Sequence, residues 1–438
     1  MSTGDLERLF TRRRFLLGIG IGIGAILTET GGLRNAIGSW LAPAAAPIPE
    51  PRAMSGRGLK LWDPDPFVSP EHLASRTLPA RGSQPTLTAT FRRPALRSKI
   101  GQMLIVGFRG TGVTGSSPIM REITRNGVGG VVLFDRGRNI SSPTQLRALV
   151  AGLQGAAMKT GPRSPLIVAI DQEGGSVARL NPRNGFPATP TTASLGARND
   201  PHASRATGLA IGRSMASMGL NLNLAPVVDV NLNPRNPAIG RNGRSFSADP
   251  RTVALHAGAF IDGQHDAGVR TTLKHFPGQG SAAADTHLGV VDVTRRWTDA
   301  ELAPFASLIA DGRADTVMTG HIFNARLDPE HPATLSARVV TGMLRERLGF
   351  GGVVMSDDLQ MGAIRAAYGW DEAVVLAVLA GVDLLMIADP PTRGGSLVSR
   401  TIDVIEDMVA AGRISEARID ASYDRIQALK ATLIHAPA

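Results

Sequence analysis

Lys274, His275, Asp285 and His287 all fall in the single stretch KHFPGQGSAAADTH. An imidazole titrates close to neutrality, so it can donate a proton in one step and take one back in the next. Asp285, two positions before His287, is placed to hold one ring nitrogen and fix the tautomer. Further along, GVVMSDD sets Asp357 at the end of an apolar run. A carboxylate together with a proton donor suits glycoside transfer, which needs one group under the anomeric carbon and an acid on the leaving oxygen. Two rival chemistries fit less well. His275, Asp285 and His287 are zinc-ligand types, yet there is no HExxH, the Gly/Ala spacer would fix ligands poorly, and Lys274 would repel a cation. A serine nucleophile needs a GxSxG elbow; TGSSP lacks it, and Ser356 precedes an acid.

These residues need elements that bring them together. Short apolar, β-branched runs recur as MLIVGF (103–108), GGVVLF (129–134), PLIVAI (165–170), LNLNLAPVVDV (220–230), RTTLKHF (270–276), DTVMTG (315–320), GGVVMSD (351–357) and VDLLMIAD (382–389). Near-continuous apolar runs of this length mark strands buried on both faces, as in parallel sheets. Helical patterns such as TQLRALVAGLQGAAMKTG and DEAVVLAVLAG lie between them. The pattern predicts an α/β fold, a (β/α)8 barrel over residues 96–438. Most runs end at something chemical: Asp171 and Glu173, Asp229, Lys274 and His275, His321, Asp357 and Asp358, Asp389. Strand ends of a barrel converge on one face, where active sites sit. A doubly wound sheet would spread them along a crevice, and no dinucleotide glycine fingerprint follows the first run.

The bulk numbers bound the partners. The chain has 438 residues, 43% hydrophobic, with 50 Gly and a net charge of +10. The arginines are scattered without interleaved aromatics, which argues against nucleic acid. There is no cysteine, so disulfides, thiol catalysis and Cys-bound zinc are excluded.

The first residues read as an address. TRRRFLL (11–17) resembles the twin-arginine export motif, and the apolar run from Phe15 to Thr28 carries four Gly. That run spans about 21 Å as a helix, short of the roughly 30 Å of a bilayer core. APAAA (42–46) offers a cleavage zone. Residues 1–46 are therefore expected to be an export signal read by the twin-arginine translocation machinery, with an uncleaved membrane anchor as the alternative. A periplasmic or extracellular location follows, with membrane contact only through this segment. Residues 47–95, rich in Pro and Arg, read as a linker or a segment lining the barrel.

KHFPGQGSAAADTH, DQEGGSVARL (171–180), IGRNGRSF (239–246) and GVVMSDDLQMGA (352–363) together resemble glycoside hydrolase family 3, specifically the bacterial β-N-acetylhexosaminidases, over roughly residues 96–435. Carried onto matching positions, the resemblance implies Asp357 as nucleophile of a covalent glycosyl-enzyme. It implies His287 as general acid/base and Asp285 as its dyad partner. Asp171, Arg179, Arg244, Lys274 and His275 match positions that grip the sugar's hydroxyls and acetamido group. The implied reaction removes terminal β-linked N-acetylglucosamine from peptidoglycan fragments with retention, using no cofactor and no metal.

Three positions depart from the family's pattern. Gln279 stands where a second His is usual in PGHG, Ser176 replaces the Arg of EGGR, and the export signal contrasts with cytoplasmic recycling enzymes of this type. Rival readings are a family 3 β-glucosidase, an N-acetylglucosaminide phosphorylase and a non-catalytic cell-wall-binding barrel. His321 reads as structural or as a support behind the site, Asp389 as structural, and Asp229 as structural or as a brace of the pocket floor.

Overall fold

The computed structural model describes residues 94–135, 139–159, 164–389 and 396–433. The expected export segment, 1–46, and all but the last two residues of the expected linker, 47–95, lie outside them. Each of the eight apolar runs supplies a strand: β1 (Leu104–Gly107), β2 (Gly130–Leu133), β3 (Ile167–Ile170), β4 (Leu222–Asn223), β5 (Arg270–Phe276), β6 (Thr316–Thr319), β7 (Val353–Asp358) and β8 (Leu384–Ile387). They pair in parallel in chain order, and β1 closes on β8 through Leu104 opposite Leu385, giving a closed barrel. The expected (β/α)8 architecture is what forms. Helices cover the outside, so both faces of every strand are out of water, and this is why the runs lack a polar alternation.

The fourth run behaves differently from the others. Of LNLNLAPVVDV only Leu222 and Asn223 join the ladder, followed by an isolated bridge between Val227 and Lys274. Pro226 has no N–H to give to a sheet, which ends the regular pairing. Two buried asparagines take over the stitching. Asn221 accepts the N–H of Val168 at 2.8 Å and donates to the carbonyl of Leu166 at 3.0 Å, while Asn223 does the same for Gln172 at 3.0 and 3.1 Å. A buried amide side chain with both ends satisfied substitutes for backbone partners at little cost.

Three of the long helices start by one rule. Ser142, Asp200 and Asp249 each accept a first-turn N–H, and a Pro occupies the next position of Pro143–Ala157, Pro201–Ala216 and Pro250–Asp266. The capping oxygen satisfies an orphan donor, and Pro has no N–H there to waste. Two histidines of these helical stretches have structural partners: buried His256 bonds Ser204 at 2.8 Å, and half-buried His265 bonds Asp315 at 2.6 Å. No helix among the described residues is long and apolar enough to cross a membrane.

The closing helix Glu416–Lys430 carries an oddity beside the start of β1. Lys430 is buried, its Nζ donating to Gln102 Oε1 at 2.7 Å. No carboxylate among the described residues pairs with it, and burial pulls its pKa from the ordinary 10.5 down to about 7. Between those two pH values the unfolded chain binds a proton that the folded chain does not, so stability rises with pH across that window. Lys430→Met removes the desolvated amine, while Gln102 keeps a donor in Gln427 at 3.2 Å. The expected result is a gain of about 1–3 kcal/mol at pH 7. The rise in stability above pH 7 should also disappear, as urea titrations at several pH values would show.

Candidate active site

Strand ends and the loops after them build one cavity of about 710 Å³ at the C-terminal mouth of the barrel. That is the size range of small-molecule sites. Asp171, Arg179, Arg244, Lys274, His275, Asp285, His287 and Asp357, the eight residues singled out by the sequence, all line it. They arrive from different directions. Asp171 follows β3 directly, and an antiparallel ribbon, Gln172–Gly174 with Val177–Ala178, turns the chain back so that Arg179 meets Asp171. Lys274 and His275 belong to β5, Asp357 to β7, and Arg244 to the long connection after β4. The register of β7 against β8 shifts between Met355 and Asp358. Such irregularities re-aim side chains beside active sites.

One wall is an ionic clamp. Lys274 Nζ lies 2.7 Å from both Asp171 Oδ1 and Glu173 Oε1. Arg244 grips Glu173 with two nitrogens at 2.7 and 2.8 Å, a bidentate pair. Arg179 reaches Asp171 at 3.2 Å and lies over the Phe134 ring at 5.7 Å. Burial alone would push Asp171 up, but Lys274 and Arg179 hold it well below the usual carboxylate range. Glu173 follows the same logic with Arg244 and Lys274, ending at about 2. The clamp stays fully charged at neutral pH, and its donors are fixed before any ligand enters. Preorganised donors of this kind need little rearrangement on binding.

The sequence reading named Glu173 and Asp229 without the partners that give them their work. Glu173 was visible only as a strand-end acid, yet it joins Arg244 to Lys274. Asp229, read as structural or as a floor brace, is a fully buried carboxylate that orients His275. It accepts from His275 Nδ1 at 2.7 Å, from the His275 N–H at 3.2 Å and from the Gln279 N–H at 2.9 Å. That bond fixes the orientation of the ring in the cavity wall. The signal available was that a buried acid must find partners.

The same cavity is lined by two adjacent carboxylates in unlike surroundings. Burial raises Asp357, but the rings of His321, His275 and His287 and the N–H of Asp358 outweigh it and hold its pKa below the ordinary value. Asp358 is pushed up to about 6 by burial and by the neighbouring Asp357, even though the N–H groups of Ala388 and Gln360 stabilise its charge. Environments that separate two neighbouring acids in this way divide their work. Asp357 is the anion facing the cavity. Asp358 ties the end of β7 to the end of β8 by accepting from Gln360 at 3.1 Å and Ala388 at 3.1 Å. His321 supports it from below, donating from Nε2 to the Asp358 carbonyl at 2.9 Å and meeting Thr334 at Nδ1. Asp389 lines the cavity rim, paired with Arg109 at 2.8 Å.

Asp285 and His287 form a pair in the loop after β5. Asp285 Oδ1 accepts from His287 Nδ1 at 2.7 Å and from the His287 N–H at 2.9 Å. With Nδ1 so engaged, Nε2 is the nitrogen free to exchange protons. His287 is 65% exposed and Asp357 is half-buried, and both line the same cavity.

The loop is less free than its composition suggested. Up to Ala282 the small-residue stretch is held by bonds from outside it. Asn236 donates to the Gln279 carbonyl at 2.7 Å, Asn233 donates to the Ala282 carbonyl at 2.8 Å, and Ser281 donates to buried Glu301 at 2.5 Å. Gln279, in the place of the family's second His, is buried within this anchored part. Ser176 stands at the rim, its hydroxyl donating to the Asn242 carbonyl at 3.3 Å.

Comparison with known proteins agrees with this geometry. Residues 95–429 match the family model described as the glycosyl hydrolase family 3 N terminal domain. A β-hexosaminidase of Tolumonas auensis is 40% identical over 272 residues, covering 61% of this chain and 77% of that protein. The solved family 3 β-N-acetylglucosaminidase of a Paenibacillus species superposes with a TM-score of 0.70 at 39% identity, over 77% of this chain and 62% of that one. A β-N-acetylhexosaminidase structure from Beutenbergia cavernae gives 0.70 at 34% identity, over 77% of this chain and 98% of that one. A barrel whose mouth holds these carboxylates, cations and imidazoles, matched over nearly all its length, belongs to glycosyl hydrolase family 3, and the protein is a glycosidase.

Proposed function

We propose that the protein is a retaining β-N-acetylhexosaminidase that removes terminal β-linked N-acetylglucosamine from peptidoglycan fragments or related glycans. The observation that carries this reading is one cavity lined together by Asp357, the Asp285–His287 pair and the ionic clamp. The relatives named β-hexosaminidase supply the sugar class.

In the first step an Asp357 oxygen attacks the anomeric carbon as the bond to the leaving oxygen breaks. His287 Nε2 delivers its proton to that oxygen, and Asp285 stabilises the ring's charge beforehand. In the second step the now neutral His287 takes a proton from water, water attacks the same carbon, and Asp357 departs. Two inversions give net retention. Asp171, Arg179, Arg244, Lys274 and His275 hold the sugar's hydroxyls and acetamido group through the clamp described above. The enzyme works outside the cytoplasm after export by the twin-arginine machinery, which suits a cell-wall substrate.

Turnover of p-nitrophenyl β-N-acetylglucosaminide against the corresponding glucoside tests the sugar class. The acetamido sugar should be preferred by about 100-fold or more, because a site built around a polar group strongly rejects the analogue lacking it. Equal rates, or a preference for the glucoside, would remove the reading. Added phosphate should leave N-acetylglucosamine as the product; the sugar 1-phosphate would make the enzyme a phosphorylase.

A further inference from the structure

The tip of the loop bearing Asp285 and His287 is held by the segment that leaves β7. Gly362 donates its N–H to the His287 carbonyl at 3.2 Å, and Ala363 donates to the Thr286 carbonyl at 3.0 Å. Both amides belong to the first turn of the short helix Gly362–Arg365. First-turn amides have no acceptor inside their own helix, so they are free to bind the loop.

The approach is close. A Cβ on Gly362 would stand 2.6 Å from the His287 carbonyl oxygen, 2.8 Å from the Leu288 carbonyl carbon and 3.0 Å from the Gly289 nitrogen. All three are backbone atoms, which have no rotamer to escape into. Gly362 is not among the glycines with positive φ. Room, and not backbone conformation, is therefore what a glycine supplies here. The platform itself is firm, because Met361 donates to the Asp358 carbonyl at 3.0 Å and Asp358 is tied to β8 through Ala388.

We propose that Gly362 is a positioning residue, the seat of a latch that holds the Asp285–His287 pair over Asp357. The proposal rests on the reading of His287 as proton donor. Nucleophile and proton donor then share one frame: Asp357 and the latch lie on the same short stretch of chain, so the donor is registered against the nucleophile by two backbone hydrogen bonds. A displacement of about 1 Å at a reacting group is enough to cost on the order of 100-fold in rate.

The test compares Gly362→Ala, His287→Ala and the double variant on aryl β-N-acetylglucosaminides of graded leaving-group acidity. Gly369→Ala serves as control, since Gly369 has φ of −70° and nothing within 4 Å of an added Cβ. Gly362→Ala should lose about 10–100-fold in kcat/KM with the poorest leaving group and less than about threefold with the best. The control should stay within about twofold of wild type, and the double variant should be no slower than His287→Ala alone. A loss equal for all leaving groups, or no loss, overturns the latch. If His287→Ala itself shows no leaving-group dependence, the reading of His287 fails instead. Amide hydrogen exchange on the unaltered protein decides the matter even if Gly362→Ala does not fold. The N–H groups of Gly362 and Ala363 should be protected; exchange at the rate of free amides overturns the proposal.

Discussion

Asp357→Asn should lower kcat by about 10⁴–10⁶-fold, the scale seen when a covalent nucleophile is deleted and the rest of a site is left in place. Asn keeps the Asp357 shape and can still accept the Asp358 N–H that donates at 2.8 Å. What it loses is the anion, and no neighbour can replace it. Asp358 is committed to the N–H groups of Gln360 and Ala388, and Asp171 and Glu173 are locked to cations in the clamp. KM should change little, because the clamp is untouched. Azide added to Asp357→Ala should yield the glycosyl azide of inverted configuration, since the small anion enters from the face that the carboxylate vacated. The wild-type acid limb is expected below the ordinary 3.8 of an aspartate, because the folded pKa is lowered and activity falls as pH drops through it. A fluorinated slow substrate that labels any residue other than Asp357 would dispose of the assignment.

His287→Ala carries the second large effect, and its signature is selectivity more than size. A positioned general acid contributes about 10²–10⁴-fold, and it does so only where the leaving group needs a proton. Natural glycans and phenyl glycosides should therefore lose that factor in the first step, while dinitrophenyl glycosides should lose little there and accumulate the glycosyl-enzyme. Azide should then speed turnover and give an azide of retained configuration, opposite to the Asp357→Ala outcome. The contrast between the two products assigns the two roles independently of rate. Equal losses on activated and unactivated substrates would leave His287 without its role as acid.

The barrel was legible because both faces of its strands are buried, so each run announced itself without needing a periodicity. The run from Leu220 to Val230 was legible only as apolar; that Pro226 would stop the ladder and Asn221 and Asn223 would replace it depends on the neighbouring strand. The dyad was readable because its members are two residues apart. Glu173 and Asp229 were not, since each takes its meaning from a partner dozens of residues away, Arg244 and His275. Local composition also hid how the loop after β5 is held. Its small residues are there to lie close to Asn233, Asn236 and Glu301, and the freedom they would have in isolation is taken up by those bonds.

Between two fixed posts, Ala282 bonded to Asn233 and Val291 paired with Ile322, the chain forms a short detour that contributes little to the barrel's own packing. At its crest Leu288 stands 87% exposed next to His287. Only the exposed side chain at its crest, outside Asp285, His287 and the backbone held by Gly362 and Ala363, is free to vary. Randomising its crest would sample new surfaces for whatever departs from the sugar, without asking the scaffold to refold. Nature and the bench can thus retune which aglycones are accepted while the chemistry beneath stays as it is.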